Sequence, residues 1–512
     1  MSLRAVPVAC LVCLLLSGVS MAAPPKESAA EGVSPQLLTV TPPPPAPAEL
    51  SLQDAVNLAL EHNSGFRQSV YALLATRSSL TVARQRWGMN LLGALERAEE
   101  NTNRAGAELT YGLLTGANLS LRSELNWVAE ATRSDSVVAL LQQPLLAGRG
   151  AASGNYEQVR SARSGYQSAL LSYYLARQDL MIATIGAYLN AVAQGQVVGI
   201  QEDSVRLAEQ AVRDADLREK EGLSIKIEVM RAQLRLAQAQ SSAVQARQAQ
   251  QDVLDQLLLL LGVQVAAAPK LVTAVAYEPV AQDVEAAVSY AVKHRPELRI
   301  ADLGVEDRQA AMRIARSARL PSLDLFGGVE NDGQDLGQQD WSVGLQVTVP
   351  IGSRALQENY NQAEWALLVA QQDREDLRQG ITVEVRRQAR AAEAARANVD
   401  IAAKAVEVSN ESLTLAQRLV DEGLDTNRNV LDAQTDLTNA RTDLVSSKIR
   451  YYLALVSLRR AMGMDVGELL AGQQAALVSE PSASQPASST GEAAAGQPAP
   501  AIGGVGATES SR

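Results

Sequence analysis

Residues 117–127 read ANLSLRSELNW, and apolar and polar residues alternate along this stretch with a period of two. One side of an extended chain would carry Ala117, Leu119, Leu121, Ser123, Leu125 and Trp127. The other side would carry Asn118, Ser120, Arg122, Glu124 and Asn126. A strand that crosses a bilayer needs ~9 to 11 residues and often has an aromatic residue at the interface. The stretch therefore predicts a transmembrane β-strand.

Other segments supply strands for the same sheet. Residues 136–143 are the predicted partner of this strand, and residues 321–330 and 340–349 form a second hairpin around the polar loop 331–339. Trp341 gives the second hairpin its own interfacial aromatic residue. Residues 90–113 add strand-like sequence to which we assign no place. The prediction is therefore about four strands per chain.

Four strands cannot close a barrel, and lipid tolerates no open sheet edge. Several chains must then share one barrel, and three chains would supply about twelve strands, which lies within the known range. No stretch after residue 22 approaches the ~20 consecutive apolar residues of a membrane-spanning helix. A crossing of the membrane would thus be made by strands.

Long helices flank the strands. In the last of them Val430 begins a heptad series of large residues, and Ala433 begins a parallel series of small ones. This is a coiled-coil seam that lets antiparallel helices approach closely. The series are Val430, Leu437, Leu444, Tyr451 and Leu458, and Ala433, Ala440, Ser447, Ala454 and Ala461. The helix over 152–221 would be ~100 Å long, and its remaining positions are largely polar, as if both broad faces met water.

The chain is a tandem duplication. Residues 52–62 (LQDAVNLALEH) align with residues 284–294 (VEAAVSYAVKH) at an offset of 232, which is 284 minus 52. The same offset joins Arg84 to Arg316. Each half reads as short helix, helix, β segment, very long helix, turn and long helix, and we place the repeats at 50–270 and 281–466.

The two ends differ from this body. Residues 1–22 have the layout of a secretory signal peptide, residues 23–49 are a Pro-rich linker, and residues 471–512 are a tail too rich in Ala, Ser, Gly and Pro to fold. Both cysteines, Cys10 and Cys13, fall within the signal, which excludes disulfides and thiolate sites from the exported chain. A formal net charge of −11 gives no support for a nucleic-acid partner.

In this order, the duplicated segments resemble the outer-membrane efflux protein (TolC) family. The resemblance rests on the opening at 52–63, on the strand exits at 143–148 and 349–352, and on Gly423 with the motif at 430–434. It implies a mixed α and β membrane protein. A trimeric α-helical barrel in the periplasm would join a shared β-barrel in the outer membrane of a Gram-negative cell. The implied partners are a periplasmic adaptor, also called a membrane fusion protein, an inner-membrane transporter and outer-membrane lipid.

The resemblance also implies site residues. The helix-tip turns at Gly222, Leu223, Gly423 and Leu424 would meet the adaptor. Acidic residues would form rings at the periplasmic entrance, and they are Asp421, Glu422, Asp425, Asp432 and Glu228. As ordinary helix caps and solvated charges, the same residues would need no function. The family's acid six residues after the second tip glycine is replaced by Asn429, and its tyrosine by Val420.

Prolines mark the predicted junctions between helices and strands. Pro144 and Pro350 follow strands, where a residue without an N–H ends the ladder and suits the first turn of a helix. Pro321 marks the opposite, helix-to-strand junction, and Met89 is its counterpart in the first half.

The sequence therefore favours a passive outer-membrane channel of an efflux pump or type I secretion system. The alternative is a periplasmic coiled-coil adaptor or structural protein, which would not explain alternating strands in both halves. An exported hydrolase is a third possibility, but we find no catalytic constellation. His62 and His294 end short helices, where a histidine favours the helix dipole, so we predict no catalytic, cofactor-binding or metal-binding residue.

Overall fold

The computed structural model describes residues 44–85, 87–95, 102–128, 133–222, 225–264, 269–272, 283–331, 340–422, 424 and 427–467. The described residues up to Val466 form one compact unit. The predicted signal peptide and tail, and nearly all of the Pro-rich linker, lie outside the described residues.

Each half begins with two short helices. In the first half they are α1 (Leu52–His62) and α2 (Ser64–Arg84), and in the second α5 (Val284–His294) and α6 (Pro296–Ser317). Side-chain caps fix three of the starts: Ser51 accepts from the Asp54 N–H, Asn63 from Phe66, and Asp283 from Glu285. Pro296 occupies the first turn of α6, where its missing N–H costs nothing.

Two helical hairpins make up most of the chain. They are α3 (Gly154–Lys220) with α4 (Lys226–Leu261), and α7 (Arg354–Asp421) with α8 (Asn427–Met462). The predicted seam holds them together: Val430, Ala433 and Leu437 of α8 are buried against Leu413 and Val420 of α7. Within this unit the helices lie side by side in the order α4, α3, α8, α7. The seams are buried, and much of the remaining helical surface is exposed.

The core lies where the short helices pack on the long ones. Tyr188 and Ile185 of α3 are fully buried there, together with Leu257 and Leu261 of α4. The Tyr188 hydroxyl donates to the carbonyl of Leu50 at 2.9 Å. It thereby fixes β1 (Glu49–Leu50), which pairs in parallel with β6 (Lys270–Leu271). No helix in the described part of the chain is long and apolar enough to span a bilayer.

The remaining strands form one six-stranded sheet in which all neighbours are antiparallel. Its order is β2 (Trp87–Leu95), β3 (Thr102–Gly112), β4 (Asn118–Val128), β5 (Arg133–Pro144), β7 (Ser322–Asn331) and β8 (Asp340–Thr348). The predicted pairings of β4 with β5 and of β7 with β8 are confirmed, and β5 joins the two halves by pairing with β7.

The prediction of about four strands per chain was wrong, because the unassigned residues 90–113 contain most of β2 and all of β3. Their sequences lack the clean alternation of β4: Leu91 and Leu92 are consecutive apolar residues, and Gly93, Gly106 and Gly112 interrupt the pattern. A period of two is the main sequence signal of a half-buried strand. These strands are defined instead by backbone pairing to their neighbours.

Candidate functional site

The first helix hairpin reverses direction between Lys220 and Lys226. Gly222 in this turn has a φ of +75°, in the left-handed region that glycine enters without a steric cost. Its N–H donates to the carbonyl of Glu219 at 3.0 Å, so the turn closes on the last residues of α3. Leu223, which the sequence analysis assigned to the same tip, lies outside the described residues.

The second tip lies between Asp421, the last residue of α7, and α8. The Leu424 N–H donates to the carbonyl of Leu419 at 2.8 Å, which ends α7 in the manner of a Schellman turn. The Leu424 side chain is 73% exposed, so the tip presents an apolar group to solvent. Gly423, Asp425 and the side chain of Asp421 lie outside the described residues, while Glu422 is the exposed C-cap of α7.

The structure brings two of the predicted acidic residues together. Glu228 of α4 and Asp432 of α8 line one groove of about 430 Å³ beside the tips. Arg428 lies in the same groove, with its Nε 3.7 Å from Oδ2 of Asp432, and both side chains are largely exposed. Water therefore screens this pair, which contributes little to stability.

Three arginines of this groove were missed by the sequence analysis. Arg231 and Arg235 of α4 line it together with Arg428, and Arg235 donates to the Thr435 hydroxyl of α8. The groove is thus mixed in charge rather than purely acidic. The signal in the sequence is the spacing of Arg231 and Arg235, since residues four apart share a helix face.

One face of the sheet is largely apolar, and the other is mainly polar. The register places Leu109, Leu121, Ala139, Val329 and Trp341 in line across five neighbouring strands. Among the apolar residues of this face, Trp341 is 77% exposed and Val343 is 67% exposed. The opposite face carries polar and charged positions, which include Glu108, Ser120, Arg122, Asp324 and Gln346.

The prolines lie near the strand ends. Pro144 is the last residue of β5, Pro321 directly precedes β7, and Pro350 follows β8. The idea that Pro144 and Pro350 would occupy the first turn of a helix was wrong. A bend and the 3-10 helix Gly150–Ala152 separate Pro144 from α3, and Ser153 and Ser353 are the residues that cap the long helices. These serines accept from the N–H groups of Tyr156 and Leu356.

Both histidines end short helices. The His294 ring stacks on Tyr290 with 4.1 Å between centroids, and its Nδ1 lies 2.9 Å from the Tyr290 carbonyl oxygen. His62 lies 3.9 Å from the carboxylate of Glu61. Each of these side-chain contacts lies within the helix that the histidine ends.

The outer helices carry exposed apolar stripes. On α4 the stripe contains Ile227, Met230, Leu234 and Val244, and on α7 it contains Ile401, Val408 and Leu415, all at least half exposed. At about 100° per residue, these positions lie away from the buried seams on the same helices. Both stripes recur at heptad spacings, which is typical of a helix that packs on another helix.

Comparison with known proteins agrees with this architecture. The outer membrane efflux protein family profile matches residues 287–464. Protein CyaE of Bordetella pertussis is 26% identical over 60% of this chain and 62% of its own length. Outer membrane protein TolC of Vibrio cholerae is 24% identical over 80% of this chain and 98% of its own. The crystal structure of CusC superposes with a TM-score of 0.63 at 17% identity, over 81% of this chain and 92% of CusC.

Paired helical hairpins, a sheet with one apolar face and these likenesses define a class of protein, the export channels of the Gram-negative outer membrane that extend into the periplasm. The chain carries an outer membrane efflux protein domain over residues 287–464, and beyond it the chain is similar to TolC-like channels. The members of this family are channels of efflux and secretion systems, not enzymes.

Proposed function

We propose that three copies of this chain close into one duct that conducts cargo passively from the periplasm to the exterior. In this proposal the sheet is a sector of a shared transmembrane barrel and the helices are a sector of a periplasmic barrel. The main support for this proposal is the position of the two repeats at the edges of the molecule. In the sheet and in the row of long helices alike, one outermost element comes from the first repeat and the other from the second.

In the sheet these end elements are β2 and β8, and in the helical row they are α4 and α7. A contact between the first-repeat edge of one copy and the second-repeat edge of the next is head-to-tail, and such contacts close into a ring when the rotation allows. Because the sheet has an even number of strands, β2 meets a neighbouring β8 in the antiparallel sense of all other pairs. The ring removes both open edges, which lipid does not tolerate.

The helical stripes fit the same contact. Leu234 lies eight residues from the tip end of α4 (226 to 234), and Leu415 lies six from the tip end of α7 (415 to 421). Val244 and Ile401 likewise match at 18 residues (226 to 244) and 20 residues (401 to 421). At 1.5 Å per residue the paired heights differ by only ~3 Å. Two apolar stripes exposed in one copy would thus bury each other between copies.

The tips are the proposed docking ends of the duct. We assign Gly222, Leu223, Gly423 and Leu424 to contact with a periplasmic adaptor, which would couple the duct to an inner-membrane transporter. The exposed Leu424, with Ile225 at 65% exposure on the other tip, supports an apolar contact there. Asp421, Glu422, Asp425, Asp432 and Glu228 would surround the periplasmic entrance as rings of three.

The conduit is tested in planar lipid bilayers with the purified full chain. We expect stable, ohmic channels that open without nucleotide, with a preference for cations. Glu228→Gln with Asp432→Asn removes two acids from each copy and should weaken the preference for cations. The reversal potential in a salt gradient should therefore move toward zero. Asp400→Asn, higher on α7, is the matched control. The absence of channels would contradict the conduit. Unchanged selectivity in the double variant would contradict the acidic entrance.

A further inference from the structure

We propose that the β3–β4 hairpin is an insertion in the first repeat that widens the barrel of this protein. Three copies would then give an eighteen-stranded exit that is as wide as the helical part and passes cargo of polypeptide size. This inference rests on the proposed trimeric duct. It concerns the width of the exit and the class of cargo that the width admits.

The insertion is visible in the repeat alignment. The offset between the repeats is 232 from Arg84 to Arg316 but 204 from Asn155 to Asn359, so the first repeat holds 28 extra residues between these points. The structure fills this interval with β2 to β5, whereas the second repeat has only β7 and β8. β3 and β4 have 11 residues each, which with their turn accounts for the difference.

The inserted strands have the chemistry of the wall and not of a surface loop. By register, Ala107, Leu109 and Tyr111 of β3 share the apolar face with Leu119 and Leu121 of β4. By register, that face continues into β5, where Leu121 of β4 is paired with Ala139. The opposite face places Glu108 directly across from Arg122. Paired charges on one face and aliphatic residues on the other fit a lumen and lipid respectively.

The turn between β3 and β4 is fastened to the helical part. The amide of Asn155 donates to the carbonyl of Leu113 at 3.2 Å and to Oδ1 of Asn118 at 3.0 Å. The Gly150 N–H donates to the carbonyl of Thr115 at 2.9 Å. Strands of a barrel wall must connect to the helical part at a fixed place. These hydrogen bonds hold the turn of the inserted hairpin at the start of α3.

The width of the sheet matches the width of the helical row. Four helices packed 8–10 Å apart occupy an arc of roughly 36 Å per chain. Strands ~4.8 Å apart and tilted by ~40° each occupy roughly 6 Å of circumference, so six strands span about 37 Å, whereas four would span about 25 Å. Three copies then give a barrel about 35 Å across rather than about 24 Å. The inserted hairpin thus widens the strand part by about half, to roughly the width of the helical part.

Pairs of introduced cysteines test which strands are neighbours. The native cysteines do not interfere, because Cys10 and Cys13 both lie in the predicted signal peptide. Leu121→Cys with Ala139→Cys joins register partners on β4 and β5. Oxidation of the protein in outer membranes should consume both thiols. Met89→Cys with Ala139→Cys is the matched control, since two strands separate β2 from β5 and a disulfide needs Cα atoms within ~7 Å. Disulfides in the control pair, with free thiols in the first pair, would overturn the inference.

The width of the β-barrel is tested in planar bilayers, with polyethylene glycols added on the side of the membrane where the β-barrel opens. Polymers ~20 Å across should enter and reduce the conductance of the full chain, since they fit a barrel of about eighteen strands and not one of twelve. A deletion of residues 102–128, which joins β2 to β5, should exclude the same polymers. Their exclusion from the full chain would overturn the inference. The absence of any trimeric channel would instead refute the proposed function, and this inference with it.

Discussion

At the residue scale, a partly buried network of ion pairs surrounds Arg295, which directly precedes α6. Its side chain is only 4% exposed, and its Nη1 lies 2.6 Å from Oε2 of Glu384 on α7. Arg460 of α8 continues the network with bonds of 2.8 Å to Glu297 and to Asp179 of α3. Burial alone would lower the pKa of Arg460, but these two carboxylates raise it above its ordinary value. Four helices therefore meet through one set of charges.

Replacing the buried arginine should be costly. Arg295→Leu leaves the carboxylate of Glu384 without its partner and leaves Glu297 with Arg460 alone, so we expect the free energy of unfolding to fall by about 2 to 4 kcal/mol. Arg299→Leu is the control, because its pair with Glu306 is more than half exposed on both sides and should contribute less than about 1 kcal/mol. Chemical denaturation followed by helical circular dichroism measures both. Equal losses would contradict a structural role for the network.

The alignment of the repeats could not predict this network. Asn63 and Arg295 occupy equivalent positions at the offset of 232, yet Asn63 caps α2 and donates to the carbonyl of Leu260 at 2.8 Å. Arg295 instead reaches α7. The sequence shows that two positions correspond, but the partner of a long side chain depends on which helix the tertiary fold brings near it.

At the element scale, periodicity predicted the parts of the fold that obey it. The heptad series of α8 and the alternation of β4 and β8 appear in the structure as a buried seam and as sheet faces. β2 and β3 break the period of two and were left unassigned. The change of repeat offset from 232 to 204 was present in the sequence, and a hairpin is the smallest element that adds residues to an antiparallel sheet and keeps its direction.

The turn of the inserted hairpin should depend on one glycine. Gly116 has a φ of +95°, and a Cβ added there would lie 2.5 Å from the carbonyl oxygen of Gly148. Gly116→Ala should therefore cost about 1 kcal/mol for its left-handed backbone and a further ~1 to 3 kcal/mol for the clash. Gly150→Ala shares the positive φ but meets nothing within 4 Å, so only the first cost applies. The yield of folded protein in the outer membrane, compared for the two variants, should be clearly lower for Gly116→Ala.

The exposed stripe of α7 should matter for assembly and not for the fold of one chain. Val408→Lys puts a charge into the proposed contact with α4 of the next copy, so we expect the trimer to dissociate at lower temperature or detergent concentration. Ala403→Lys is the control, because this exposed residue lies about 140° around the helix from Val408. Sedimentation velocity in mild detergent reports the oligomer, and circular dichroism reports the unchanged helices. A trimer equally resistant in both variants would remove the stripe from the interface.

At the scale of the whole molecule, the described sheet and helical row both have open edges. The sheet ends in unpaired strands and the helical row ends in unpartnered apolar stripes, in both layers with one repeat on each side. The duplication explains this arrangement, since two similar hairpins side by side leave one outer helix from each repeat. In the sequence, only the open sheet edge indicates that several copies are needed. The second line of evidence, the stripes on α4 and α7, required the tertiary arrangement that shows which helices lie outermost.

The closed ring of three copies is tested most directly by a disulfide between its proposed edges. Leu234→Cys on α4 and Leu415→Cys on α7 lie at matching heights above the tips but on opposite sides of one copy. After oxidation in intact cells, a non-reducing gel should show covalent dimers and trimers and no larger species. A single band at the mass of one chain would contradict the trimeric duct. So would a ladder of covalent species that stops at dimers or extends beyond trimers.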